Sequence, residues 1–228
     1  MRHKSLTMLV LLLGASTSAG LQEQPEKPAG EEELLARPAK VVGTSGLSVD
    51  MAFMMAVDQT RAPGGAVIVH GCEEPSSKVV RYRGSTLREV LDNIVTDDPD
   101  YAWEVNDSVI NLAPAQGVPD LLTLRIAAFD SGDATSLVTA GTYLLALPEV
   151  RKRAADLGFS QGVLGTGPSS IPPPGAPLPA PKLLDVHLEN VTLFDAMNAL
   201  VRTNKHGQWV YHETHCKSEN NFQVHFSD

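Results

Sequence analysis

The chain contains only two tryptophans, Trp103 and Trp209, and they fall on one another when the sequence is displaced against itself by 106 residues. In the same register Val80 meets Val186, Thr86-Leu87 meets Thr192-Leu193, and Ile94-Val95 meets Leu200-Val201. Self-similarity at a fixed displacement points to a repeated structural unit. The physics of the unit can be written from its residues. A strand ends, and Thr86 or Thr192 caps a helix by accepting a first-turn N–H. The apolar stripe of that helix, with Leu87 and Leu91 in one copy and Leu193 and Met197 in the other, docks on a sheet. The next strand then lays an indole over the stripe, and one large ring per unit is a fitting core anchor. A chain built this way is confined to an α+β fold of two lobes of βαβ-type units, with helices packed on small mixed sheets.

Local patterns fill in the lobes. Residues 46–115 form the first. Met51–Thr60 carries its apolar positions at helical spacing behind Asp50 as N-cap, and its methionines read as core filler. Pro63-Gly64-Gly65 ends that helix, and Ala66–Val69 is a continuous β-branched run that predicts a buried strand. Lys78–Arg83 alternates as a strand, and the Thr86 helix stops at Asp97-Asp98-Pro99. Tyr101–Val105 and Ser108–Leu112 flank Asn106-Asp107 as a hairpin. Residues 118–228 form the second lobe. It has a long apolar strand over Leu121–Phe129, a helix capped by Asp133 or Ser136, and a second helix starting at Pro148 and stopping at Gly158. A Pro/Gly-rich loop over 158–181 interrupts it and is expected to be extended and unpaired. Leu183–Leu188, the Thr192 helix, and strands at Gln208–His212 and Phe222–Phe226 complete the lobe.

The N-terminus has the order of a secretory signal peptide over residues 1–19: basic Arg2-His3-Lys4, an apolar run from Leu6 to Leu13, then small residues up to Ala19. Residues 20–45 are acidic and Pro-containing and predict a disordered tether, with a short helix near Glu31–Ala36. No integral membrane segment is expected once the leader is removed. The formal charge is −9, and losing Arg2 and Lys4 makes the remainder more acidic, which argues against nucleic acid and anionic lipid as partners. Export to the periplasm or the medium places Cys72 and Cys216 in an oxidising compartment, where an even pair favours a disulfide. Such a bond closes a loop of about 145 residues and is worth at most about 5 kcal/mol in the chain-entropy description.

Several constellations carry chemistry on paper. Gly158-Phe159-Ser160-Gln161-Gly162 matches G-x-S-x-G, the nucleophile turn of many hydrolases, which would make Ser160 a nucleophile. That turn needs a strand before the serine and a helix after it, whereas a helix is predicted before it here. His212-Glu213-Thr214-His215-Cys216 and His70-Gly71-Cys72 gather imidazole and thiol donors. His70, His212 and His215 are therefore the alternative metal ligands, although the spacing is no standard zinc framework. Asp97-Asp98-Pro99-Asp100 lacks calcium-loop spacing and reads as a solvated helix end.

The segment Thr86-Leu87-Arg88-Glu89-Val90-Leu91 matches a T-L-x-x-x-L helix placed between a strand and a strand pair, and Thr192-Leu193-Phe194-Asp195-Ala196-Met197 follows it with Met in the last place. In this the chain resembles the short N-terminal (STN) domain shared by secretins and TonB-dependent outer-membrane receptors, here in tandem. The resemblance spans about 46–115 and, more loosely, 118–228. It implies a two-βαβ fold and a role in docking other proteins, and it carries over no catalytic residue. No pore or barrel sequence follows up to Asp228. The expectation is an exported binding module for a protein or peptide of the cell envelope, without catalytic activity or cofactor.

Overall fold

A computed structural model describes residues 29–39, 45–72, 79–166, 183–204, 206–217 and 220–227. The leader, most of the tether and most of the Pro/Gly-rich loop lie outside the described residues. The first half comprises α1 (Ala29–Leu35), β1 (Ser45–Leu47), α2 (Val49–Thr60), β2 (Gly64–Gly71), β3 (Val80–Arg81), α3 (Leu87–Asp97), β4 (Tyr101–Asn106) and β5 (Val109–Pro114). The second comprises β6 (Arg125–Asp130), α4 (Leu137–Leu145), α5 (Pro148–Asp156), β7 (Phe159–Thr166), β8 (His187–Thr192), α6 (Leu193–Asn204), β9 (Gln208–His215) and β10 (Asn220–Ser227). The fold is α+β, with mixed and antiparallel sheets.

The halves share one connectivity. In each, the first and third strands form a separate antiparallel pair, β1–β3 and β6–β8. The remaining three form a mixed sheet, β4-β5-β2 in the first half and β9-β10-β7 in the second. In both, the last two strands are an antiparallel hairpin and the strand after the first helical segment runs parallel to the last. These two trios are not separate sheets. Parallel pairing of β2 with β9 joins them into one sheet of six strands, β4-β5-β2-β9-β10-β7. Strands β5, β2 and β9 run one way and β4, β10 and β7 the other. A half-turn about an axis lying along the sheet, with a shift, therefore carries one half onto the other. That half-turn also exchanges the faces. The helices of the first half cover one face with a core containing Phe53, Leu87, Leu91, Ile94, Ile68 and Leu112. Helices α4 to α6 cover the other with Leu137, Leu193, Met197, Trp209, Tyr211 and Phe226. Strand β2 lies at the junction and is buried on both faces, which is why its sequence runs apolar without alternation.

The repeated residues make matching hydrogen bonds, but the expected pair of core anchors is only half met: Trp209 is fully buried, whereas Trp103, on the strand that ends the sheet, is half-buried. Thr86 Oγ1 accepts from Glu89 N–H at 3.3 Å, and Thr192 Oγ1 from Asp195 N–H at 3.1 Å. The Trp103 indole N–H donates to Asp92 at 3.0 Å, and that of Trp209 donates to Asn198, also at 3.0 Å. Asp92 and Asn198 are themselves 106 residues apart. Leu87, Leu91, Leu193 and Met197 are all buried.

Other expectations need correction. The stretch 158–181 is not wholly unpaired. Gly158 ends α5 with φ +75°, and Phe159–Thr166 then forms β7 alongside β10, because main-chain pairing needs no apolar side-chain pattern. The tether is not wholly loose: in α1, Leu34 and Leu35 are buried against α3, and Glu32 pairs with Arg88 at 3.1 Å. The hairpin turn is Asp107-Ser108, one residue later than expected. Both have positive φ, 48° and 67°, the backbone a two-residue hairpin demands. Ser48, not Asp50, holds the N-cap position of α2. The first strand of the second half is Arg125–Asp130 rather than Leu121–Phe129, because Leu121–Thr123 form a turn, and the third is His187–Thr192 rather than Leu183–Leu188.

Candidate functional site

At the carboxyl ends of the parallel strands β5, β2 and β9, the two halves enclose an open cleft of about 950 Å³. Such crevices, where parallel strands end and the covering elements diverge, are common ligand positions. One wall comes from Ile68–Cys72 at the end of β2 and His212–His215 at the end of β9. The start of α2 (Ser48–Asp50), the α3–β4 turn with Asp98 and Asp100, Tyr101, and the segment Pro114–Pro119 supply the rest.

The Cys72–Cys216 disulfide stands at the rim. Cys72 N–H donates to His215 C=O at 3.1 Å, the last rung of the β2–β9 ladder, and the Cα atoms of the two cysteines are 5.0 Å apart. The cross-link thus fastens the two halves where the cleft opens. A disulfide fits an oxidising compartment, and among the described residues no helix is long and apolar enough to cross a membrane.

Strand alternation divides the His-Glu-Thr-His run. His212 shares a face of β9 with Val210, in the core of the first half; Glu213 and His215 share the other with Trp209 and Tyr211. On the first face His212 lies between His70 and His225, with ring centroids 5.9 and 6.1 Å away, and its Nε2 is 3.6 Å from Asp50. Burial holds the His212 imidazole below its ordinary pKa; His70 and His225 push the same way, and Asp50 pulls against them. On the second face, Glu213 is only 5% exposed. It accepts from the Tyr211 hydroxyl and pairs with His215 Nε2 at 2.7 Å. Burial, reinforced by Glu213, pushes the Tyr211 phenol far above its usual range, so it remains a donor. Burial likewise raises the Tyr101 phenol at the cleft mouth.

The candidate metal ligands are therefore divided: His70 and His212 lie on one face of the sheet and His215 on the other. Among the described residues no group of three or more His, Cys, Asp or Glu is placed to hold a metal ion. Ser160 is on β7, where its Oγ donates to the Asn220 carbonyl at 3.3 Å. A helix and Gly158 precede it, the reverse of the strand–turn–helix order of a nucleophile turn.

The charge of the cleft is one-sided. Among the described residues, Asp50, Asp98, Asp100 and Glu213 line it together with His70, His212 and His215, and no Lys or Arg does. In the sequence Asp50 reads as a cap and Asp98 and Asp100 as a solvated helix end. The signal available was the placement of Asp50 and Asp98 at opposite ends of two helices bracketing the β2 strand, but their convergence requires the tertiary fold. Searches against protein-family models, curated proteins and solved structures return no match to this chain.

Proposed function

We propose that this chain is an exported, duplicated STN-like module that binds a basic peptide, or a basic protein segment of the cell envelope, in the cleft between its halves. The observation that carries the reading is the cleft lining, where the described residues supply four carboxylates and no Lys or Arg. Fields of one sign in a cleft attract and orient opposite charge. The duplication is supported by the common strand order of the two halves and by the paired Trp–Asp and Trp–Asn bonds. The STN-like assignment is supported by the helices of each half, α2 and α3 in the first and α4 to α6 in the second, which go with a two-stranded sheet and three strands of the six-stranded one. The disulfide accords with life in the periplasm or the medium.

Fluorescence anisotropy with labelled Lys/Arg-rich and Glu-rich peptides tests the reading. Binding only of the basic set, weakening as salt rises, is expected, and Asp50→Asn should weaken it about 3- to 10-fold, the scale of one partly exposed ion pair. Equal binding of both sets, or no binding at low salt, overturns it.

A further inference from the structure

Strands β4 and β7 end the six-stranded sheet on its two sides. By the shared connectivity of the halves, β4 is the counterpart of β9, and β2 the counterpart of β7. The β2–β9 junction inside the chain is thus the contact that β7 of one molecule would make with β4 of a second.

Main-chain groups fit this. Ala115 N–H donates to Asp100 C=O, and Asn106 faces Val109 across the turn, so even-numbered residues of β4 bond to β5. Trp103 and Val105 then turn their N–H and C=O groups to the open edge, while the Tyr101 N–H donates to Asp98 C=O at 3.3 Å. On β9 the odd-numbered residues face β2: Gly207 and His215 carbonyls accept from Gly64 and Cys72 N–H at 3.1 Å each. Trp209 and Tyr211 are engaged in this way, whereas Trp103 and Val105, 106 residues before them, are unpaired by any described strand.

The tryptophans fit it too. Trp209 is fully buried, and its indole lies against Gly65, its Cα partner across the junction, where a Cβ would collide with the ring. Trp103 has no such neighbour and is only half-buried. Trp103 pairs with Leu112 and Trp209 with Phe226, which makes His225 the counterpart of Asn111. Gly65 lies opposite Asn111 and Gly165 lies opposite His225. A glycine therefore stands on β7 at the register position where the Trp103 of a second molecule would come to lie.

The geometry points to head-to-tail association of copies of this chain, β4 of one molecule adding in parallel to β7 of the next and Trp103 closing over Gly165. This rests on the duplication but not on the cleft. Two different edges meet, so the contact is heterologous, and because the half-turn is combined with a shift along the sheet it does not close into a ring, and molecules add in an open series.

Sedimentation velocity on the purified protein, from about 10 μM to about 1 mM, a range suited to weak contacts, is the test, with tryptophan emission read alongside. The expected result is an average mass that climbs past the dimer as concentration rises, with emission moving to the blue as Trp103 is covered. Val105→Pro removes an outward N–H on β4, and Gly165→Val fills the glycine position on β7. Each variant alone should be monomeric, while their equimolar mixture should form a dimer and stop there, each supplying the edge the other lacks. Circular dichroism verifies that both are folded, and if Val105→Pro is not, the emission shift and the Gly165→Val monomer carry the test. A wild type that stays monomeric throughout, or one that stops at a closed dimer, overturns the proposal. So does association that survives in both variants. Peptide anisotropy on the monomeric variants separates this outcome from that of the cleft.

Discussion

Gly65→Ala probes the junction between the halves with a single methyl group. The added Cβ would collide with the Trp209 ring. That ring has nowhere to retreat: it is fully buried, Phe194 meets it edge-on at 5.5 Å, and its N–H is held by Asn198. Overpacking a filled core costs about 1–3 kcal/mol. If the ring shifts enough to break the Asn198 bond, a buried N–H left without a partner adds about 1–3 kcal/mol. Against this, alanine restricts the unfolded chain and returns about 0.4–1 kcal/mol. The net expectation is a loss of about 2–4 kcal/mol, or a fall in Tm of about 5–15 °C for a chain of this size. Gly71→Ala is the matched control, because it lies on the same strand and its Cβ would meet nothing within 4 Å. Urea unfolding of both variants with the disulfide intact, followed by circular dichroism and tryptophan emission, reads the difference. If Gly65→Ala matches Gly71→Ala within about 0.5 kcal/mol, the limit for a substitution that touches nothing critical, the packing of Trp209 across the β2–β9 junction is refuted.

The disulfide should leave no titratable thiol in the denatured, unreduced protein, and Cys72→Ser with Cys216→Ser should cost up to about 5 kcal/mol, because the loop it closes is long. The His212 imidazole is held below its ordinary pKa, so the unfolded chain binds that proton more readily. Its effect on stability is absent well above pH 7, grows as pH falls through the unfolded value near 6.5, and levels off below the folded value. His212→Gln should therefore flatten the fall in stability between about pH 7.5 and pH 5 in urea titrations, and an unchanged slope would contradict the buried, neutral imidazole.

Much of the architecture was legible because the residues that matter act locally. Thr86 and Thr192 cap their helices within one turn, the Leu87 and Leu193 stripes follow the helical period, and each Trp lies a fixed distance beyond its cap. Pro148 and Gly158 punctuate α5 as such residues do. What escaped was non-local. The joining of β2 to β9 links residues far apart in sequence, and no local pattern announces which strand an apolar run will choose. Strand β7 was hidden because Gly162, Gly165 and the prolines beyond mask a segment whose pairing is carried by its main chain. The cleft was hidden for a related reason. Asp50, Asp98 and Glu213 each have an ordinary local explanation, and only the shared sheet brings them around one space. In the His-Glu-Thr-His run the division was hidden too: the expected strand ended at His212, and only the extension of β9 to His215 lets alternation separate the two imidazoles.

The most direct test of the cleft is a two-dimensional NMR titration of labelled protein with a Lys/Arg-rich peptide. Displaced amide signals should cluster at His70, Gly71, Tyr101 and His212–His215, at the carboxyl ends of the parallel strands, and should recede with added salt. Displacements scattered over the outer helices, or none while the peptide still binds, would contradict the account.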